Sequence, residues 1–420
     1  MSNRGAAPAP ETDVIVGAGI VGLNCAFWLS RRGRRVTVVD RDPAGDKASF
    51  GNAGAIAVTD VTPTSAPGLL WRIPGWLLDP LGPLSVRPAH ALRMIPWFWH
   101  FLRAGRPDAV QRSATHLAAL HACVEEDMVT LLAALGLQDD LHRKGALAVY
   151  ETEAGFERDA AEWALRRQHG IHCVEMDGNA ARSMEPALGP LVRKAVLTPK
   201  WSYVSDPKRI ADRLRDHLVR SGVVFVRSEA TAIEGGEWPV LKMANGTRLA
   251  GASMIVAAGA WSARLAGSLG DRVLLESERG YNVTFPQPPI ALRQQLIFAE
   301  RKFVATPLEI GLRIGGAAEF AGLAAPANYA RAHALLHAAR RYLPELLGEG
   351  GTPWMGQRPS TPDSLPVIGP SPRHARVFYA FGHGHLGLTQ SSTTGRLISD
   401  LVTGHPPQLD LSPFRVGRFV

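Results

Sequence analysis

Residues 14–42 read VIVGAGIVGLNCAFWLSRRGRRVTVVDRD. Asp13 to Gly17 is a short apolar run with strand character, and Ile20 to Arg32 has a helical pattern with Val21, Cys25, Trp28 and Leu29 on one side. Arg35 to Asp40 is a second strand, so the three pieces make a βαβ unit. Gly17, Gly19 and Gly22 stand between the first strand and the helix in G-x-G-x-x-G spacing, and Asp40 ends the second strand. Gly17 permits a tight turn, Gly19 lets the backbone approach a pyrophosphate, and Gly22 lets helix and strand pack closely. Ala18, Ile20 and Val21 complete this turn at a helix N-terminus, which favours phosphate charge. Asp40, with Arg41 beside it, is expected to accept from ribose hydroxyls. An acid there argues against a 2'-phosphate, so the ligand is FAD or NAD, and this segment alone does not choose.

The chain has 420 residues, with 46 Lys+Arg against 38 Asp+Glu and 46% hydrophobic residues, which allows two domains and a sizeable core and excludes disorder. The net charge of +8 is spread without a basic block, so no nucleic-acid partner is expected. Cys25, Cys123 and Cys173 lie far apart, which excludes a disulfide framework and a cysteine-based zinc site and suits a reducing cytoplasm. No metal site is expected. The N-terminal residues read as neither signal peptide nor anchor, and no apolar run reaches 18 residues.

Further along, helices are expected at Ser113 to Gly136 (Ser113 as N-cap), Glu153 to His169, Gly178 to Met184 behind Asp177, Pro207 to Ser221 behind Asp206, and Ala327 to Tyr342. Strands are expected at Ala146 to Tyr150, Ala195 to Thr198, Val223 to Arg227, Ser253 to Ala257, Gly280 to Phe285, Lys302 to Thr306, Gly311 to Gly316 and Val377 to Ala380. Residues 68–103, broken by prolines and holding Trp71, Trp76, Trp97 and Trp99, read as loop and short helix. The pattern is discontinuous: nucleotide-binding pieces at 13–60, 175–265 and 355–410 alternate with substrate-domain pieces at 65–170 and 270–350.

Four other segments carry a family likeness: SFGNAG (Ser49 to Gly54), VAAGAWS (Val256 to Ser262), GQRPSTPDSLPVIG (Gly356 to Gly369) and FGHGHLGLTQSSTTG (Phe381 to Gly395). With the N-terminal glycines they make the chain resemble the FAD-dependent amine and D-amino acid oxidoreductases, nearest to bacterial D-amino acid dehydrogenases. Glycine oxidase and sarcosine oxidase are more distant. The resemblance implies an α/β fold in which a FAD-binding Rossmann-like domain is interleaved with an α+β substrate domain built on an antiparallel sheet. It implies that Ser49, Asn52, Ala53 and Gly54 lie along the flavin and that Ala258, Gly259 and Trp261 sit under the cofactor. It also implies that the turn through Gly384, His385, Leu386, Gly387, Leu388 and Thr389 passes the flavin ring. That turn opens a helix, and backbone N–H groups there suit negative charge on a reduced flavin.

For the substrate, the resemblance singles out Arg358, whose planar guanidinium pairs two-pronged with a carboxylate. Tyr281, in ERGYNVTF, is a second candidate for the carboxylate or amine, and His385 and His383 are candidates for contact with flavin or substrate. Glycine oxidase carries a further arginine after a proline near Thr306, whereas this chain reads VATPLEIGLR, which argues against a glycine-type substrate. The last cysteine is Cys173, so FAD is expected to be non-covalent at the place where sarcosine oxidases use a C-terminal cysteine, with a histidyl linkage left open. The reading is oxidation of a D-amino acid, with D-proline or 4-hydroxy-D-proline suggested by ERGYNV. A sarcosine or secondary-amine oxidase, or a non-catalytic flavin subunit of a larger dehydrogenase, are the alternatives. Oxygen, a quinone or an electron-transfer protein would take the electrons, and the sequence does not choose among them. The tryptophans of residues 68–103, with Arg72, Arg93, Arg103 and Arg106, are expected chiefly as core and pocket wall. A sharper idea is peripheral contact with the inner face of the cytoplasmic membrane.

Overall fold

The computed structural model describes residues 9–65, 82, 84–347 and 350–419. Its first sheet has the strand order Val224–Arg227, Arg35–Asp40, Thr12–Val16, Ser253–Val256, Val377–Phe381, Val367–Pro370. All neighbours are parallel except the last pair. The central strands are apolar almost throughout because a parallel sheet is covered on both faces, and Val14, Ile15, Val38, Met254 and Ile255 are completely buried. The helix Ile20–Arg31 follows the first strand, and the buried helix Gly387–Val402 lies against it. Gly395 makes that contact: a Cβ there would come 2.6 Å from the Asn24 carbonyl oxygen.

The second sheet has nine strands among the described residues. Eight follow the order Thr352–Ser360, Glu276–Phe285, Gly311–Phe320, Phe303–Leu308, Gln295–Phe298, Ala146–Tyr150, Lys194–Thr198, Val174–Asp177. Leu84–Val86 adds to Gly311–Phe320. Pairing is antiparallel except at that addition and between Gln295–Phe298 and Ala146–Tyr150. The helix Ala330–Tyr342 covers one face, where Leu335, Leu336, Ala339 and Tyr342 share a core with Tyr281, Val283 and Ile314.

The division of the chain needs correction at two places. Val174–Asp177 with Lys194–Thr198, and Thr352–Ser360, belong to the second sheet, whereas the sequence pattern places residues from 175 and from 355 in the nucleotide-binding group. Their partners lie far away in sequence, so local pattern did not reveal the pairing. The single helix expected from Ser113 to Gly136 is two, Pro107–His121 and Val124–Leu135. Ser113 is buried inside the first of these and is no cap, while Gly136 closes the second at φ 66°. The helix expected from Glu153 to His169 breaks at Asp159, giving Glu153–Arg158 and Ala160–Gln168. Asp177 and Asp206 cap their helices as expected, each accepting a backbone N–H. At the end of the stretch read as loop and short helix, Ile95–Ala104 is a ten-residue helix with Pro96 in its first turn. Trp71, Trp76 and Arg72 lie outside the described residues.

Candidate active site

One cavity of about 940 Å³ runs from the glycine turn of the first sheet to the strands of the second. That is near the upper end of the roughly 300–1,000 Å³ range of small-molecule sites. At the nucleotide end, Gly17 sits at φ +114°, and a Cβ there would lie 2.4 Å from the Ala257 carbonyl oxygen. A Cβ on Gly22 would lie 2.0 Å from the carbonyl oxygen of Gly17, whereas one on Gly19 would meet nothing within 4 Å. Two glycines are therefore required by packing, and the third faces the cavity, where Ile20 and Val21 also lie. The Asp40 carboxylate accepts from the backbone N–H of Ala18 and of Asp42, at 2.8 Å each, and pairs with Lys47 at 2.9 Å. The Arg41 guanidinium stacks over Trp261 at 4.2 Å, and both line the cavity with Ala258 and Gly259. Ala18 and Gly22 support this end without lining it.

Ser49, Asn52 and Ala53 line the middle of the cavity. The Asn52 side-chain oxygen accepts from the Gly54 N–H at 2.8 Å, which folds the loop on itself. Arg313 clamps the same loop, donating from Nη1 to the carbonyls of Phe50 (3.1 Å) and Asn52 (2.6 Å) and from Nε to Thr284 Oγ1 (2.9 Å). Burial pushes the Arg313 pKa down to about 10, and no carboxylate pairs with it among the described residues. Asp206 acts on this guanidinium only through space, and a buried cation without a directly paired carboxylate among the described residues, lining the cavity, fits a ligand that carries or develops negative charge. Gly384, His385, Leu386, Gly387 and Leu388 line the cavity from the opposite wall, at the N-terminal end of the Gly387–Val402 helix. Thr389 does not; its hydroxyl donates to the Ala55 carbonyl and accepts from the Ala57 N–H, at 3.1 Å each, which ties helix to loop. His383 is buried against Thr394 Oγ1 at 2.9 Å, and burial holds its pKa down at about 3, so this ring is neutral.

At the far end, Arg358 stands on Thr352–Ser360 directly opposite Glu278 on Glu276–Phe285. Its Nη1 donates to Glu278 Oε1 at 2.8 Å and to the Ala317 carbonyl at 3.2 Å. The guanidinium lies across Gly280, where a Cβ would come 2.1 Å from Nη2, so glycine keeps this place free for it. His385 Nε2 meets the same Glu278 oxygen at 2.8 Å, and Ser360 donates to Oε2 at 2.9 Å. A backbone bridge between Ser360 and His383 holds the glycine-rich turn before the Gly387–Val402 helix to the arginine strand and so brings His385 here. Burial raises the proton affinity of Glu278, but His385 and Arg358 outweigh it and hold the carboxyl well below the usual carboxylate range.

Arg358 and His385 are thus brought together, and Tyr281 is not brought to them. It is among the residues that border the cavity, but its hydroxyl donates to Glu319 Oε2 at 2.5 Å and accepts from the Asn328 N–H at 3.1 Å. Burial and Glu319 push the phenol above its ordinary value. Strand alternation explains the correction: Glu278, Gly280 and Asn282 share one face, while Arg279, Tyr281 and Val283 turn to the face under the Ala330–Tyr342 helix. The expectation of one fewer arginine is also revised. The post-proline arginine is indeed missing, but Thr306 pairs across the ladder with Arg313, which enters the cavity from the next strand. Sequence reading missed Glu278, Arg313 and Trp354. The signals present were the glycine of E-R-G-Y, two residues from an acid on the same strand face, and two further glycines. Cβ atoms on Gly51 and Gly356 would fall within 2.2 and 2.0 Å of the Trp354 ring. No group of three His, Cys, Asp or Glu that could hold a metal occurs among the described residues.

Residues 14–401 match the family described as FAD dependent oxidoreductase. The chain is 34% identical over 414 residues to a D-amino-acid oxidase of Bradyrhizobium diazoefficiens, covering 97% of this chain and 98% of that protein. It is 32% identical to a D-amino acid dehydrogenase of Sinorhizobium medicae, covering 97% and 99%. Among solved structures, glycine oxidase from Geobacillus kaustophilus superposes with a TM-score of 0.74 at 26% identity, covering 97% of this chain and 98% of that one. L-proline dehydrogenase from P. horikoshii shares the fold, with a TM-score of 0.75 at 16% identity over 97% of each chain. The chain belongs to the FAD-dependent oxidoreductase family, and its fold and cavity accord with a FAD enzyme acting on amino acids.

Proposed function

We propose that this enzyme oxidises the Cα–N bond of D-amino acids to an imine, which water converts to a 2-oxo acid and ammonia. A cyclic substrate such as D-proline or 4-hydroxy-D-proline would leave as a pyrroline carboxylate. The observation that carries the reading is Arg358. Among the described residues only Nη1 of its guanidinium is engaged, so Nε and Nη2 offer a carboxylate a two-pronged edge inside the cavity that begins at the dinucleotide turn. Gly17, Gly19, Asp40, Ser49, Asn52, Ala53, Gly259, Trp261 and Gly384 to Leu388 would hold non-covalent FAD, which when bound supplies the acceptor for the hydride leaving Cα. The chain's own work is to fix the substrate by its carboxylate and to surround it with Trp354, Phe98 and Trp97. The D-series preference rests on the relatives' activities. Dye-coupled assay of the purified flavoprotein with matched D- and L-amino acids tests it: activity with D-isomers supports the reading, and activity confined to L-isomers or to sarcosine removes it.

A further observation concerns the electron acceptor. On Leu92–Met94 and Ile95–Ala104, Leu92 (79% exposed), Ile95, Trp99 (59%) and Leu102 lie outward, flanked by exposed Arg93, Arg103 and Arg106. Trp97, Phe98 and Phe101 of the same helix line the cavity. Of the tryptophans expected as core, Trp97 is buried and Trp99 is not. This apolar, basic-edged face supports peripheral binding to an anionic membrane surface and a quinone as acceptor. Co-sedimentation with phosphatidylglycerol vesicles, lost in a Leu92→Ser/Trp99→Ser variant, checks it; no co-sedimentation of the wild type ends it. No helix among the described residues is long and apolar enough to cross a membrane.

A further inference from the structure

Glu278 is a charged side chain in the substrate end of the cavity with no role in the function proposed above. Its side chain is 9% exposed and it is fixed from three directions. Oε1 takes Arg358 Nη1 and His385 Nε2, both at 2.8 Å, and Oε2 takes the Ser360 hydroxyl at 2.9 Å. A carboxylate has about four acceptor positions, so one on Oε2 is left over. An acid beside the carboxylate-binding arginine is a cost if carboxylate binding is its only task, because it competes for the guanidinium and repels the incoming anion. It becomes an advantage if the ligand is also positive.

We propose that Glu278 reads the substrate's amine: with Arg358 it forms a charge pair matched to the two ends of an amino acid zwitterion. The carboxylate takes the free Nε and Nη2 edge of Arg358, and the ammonium donates to the unused position on Glu278 Oε2. This rests on the amino acid reading of the same site. Carboxylic acids lacking an amine are rejected because Glu278 then faces the anion without a compensating cation. The carboxylate also stabilises the ammonium form, so the neutral amine needed for hydride loss is reached at higher pH in the bound complex than without Glu278.

The test compares D-proline with tetrahydro-2-furoate, which has an ether oxygen where proline has its amine, in the wild-type holoenzyme and in Glu278→Gln. Binding of the furoate is read from the shift of the flavin band, and that of D-proline from the concentration dependence of anaerobic flavin reduction. The wild type should bind D-proline on the order of 100-fold more tightly, the worth of a desolvated charge-assisted pair. Equal affinities overturn the proposal whatever the variants do. In Glu278→Gln, D-proline should weaken about 30-fold while the furoate tightens, and the acid limb of the kcat profile should move to lower pH. Glu278→Asp, which keeps the charge, should restore the preference. If Glu278 only positions Arg358, both ligands weaken together and the limb stays, which contradicts the proposal. If no D-amino acid reduces the wild-type flavin, the functional reading fails first and this inference with it.

Discussion

The two ends of the cavity are made of different materials. At the nucleotide end the work is done by backbone and by absent side chains: Gly17 and Gly22 are dictated by clashes at 2.4 and 2.0 Å, and Gly19 leaves open space in the cavity. At the far end it is done by polar side-chain pairs: Glu278 with Arg358 and His385, and behind them Glu319 hydrogen-bonded by Tyr281 and paired with Arg87 and Arg279. A backbone site tolerates no added atom, whereas an ionic site depends on each charge keeping its partner. On the proposed function the first would hold a constant cofactor, and the second could be retuned by single substitutions to choose among substrates.

The sharpest break of this comparison lies at the backbone end. Gly22→Val forces a side chain onto the Gly17 carbonyl, and it should cut FAD affinity by roughly 100-fold, read as flavin content of the purified protein. Full flavin content would show that the glycine turn is dispensable. Arg358→Lys keeps the charge but loses the two-pronged edge, and should raise KM for D-amino acids by roughly 30-fold with little loss of bound flavin. If it loses flavin instead, the two ends are not separable.

Acid stability distinguishes the ends further. His121 is buried against the Val58 carbonyl and Gln390, with its pKa pushed down to about 4 by burial, and His383 on the turn before the Gly387–Val402 helix is held at about 3. An unfolded histidine takes its proton near 6.5, so as the pH falls below that value the unfolded chain gains protons first and stability declines. The decline should reach about 1.4 kcal/mol per pH unit for each ring until the folded pKa is passed. Glu278 adds its own loss only at lower pH, as the medium falls below the ordinary glutamate range toward its depressed pKa. Denaturant midpoints between pH 7 and pH 5 check this, and a His121→Asn variant should flatten the slope. The smallest effect is expected remote from both ends, where Gly136→Ala at φ +66° should cost about 1 kcal/mol and leave KM unchanged.

The same contrast explains what could be read from sequence. The dinucleotide unit lies within thirty residues, and its strand, helix and acid follow from local pattern, so Ile20–Arg31 and Arg35–Asp40 match the expectation almost to the residue. The ionic end depends on ladder register between residues about 80 apart in sequence, and a bulge between Arg279 and Tyr281 interrupts the neighbouring pairing. ERGYNV points to Tyr281, whereas it is the acid on the other strand face, Glu278, whose side chain meets Arg358 and His385. Residues 175–198 read as part of the nucleotide-binding group for the same reason, since it is pairing with Ala146–Tyr150 that places their strands in the second sheet.

The central claim is that this cavity joins a FAD site to a pocket for the carboxylate of a D-amino acid. Its most direct test is anaerobic mixing of the purified flavoprotein with D-proline, D-alanine and their L-isomers, with Arg358→Lys in parallel. The account predicts bleaching of the visible flavin band by D-isomers and a much higher half-saturating concentration in the variant. Bleaching by neither isomer, or half-saturation unchanged by Arg358→Lys, would contradict it.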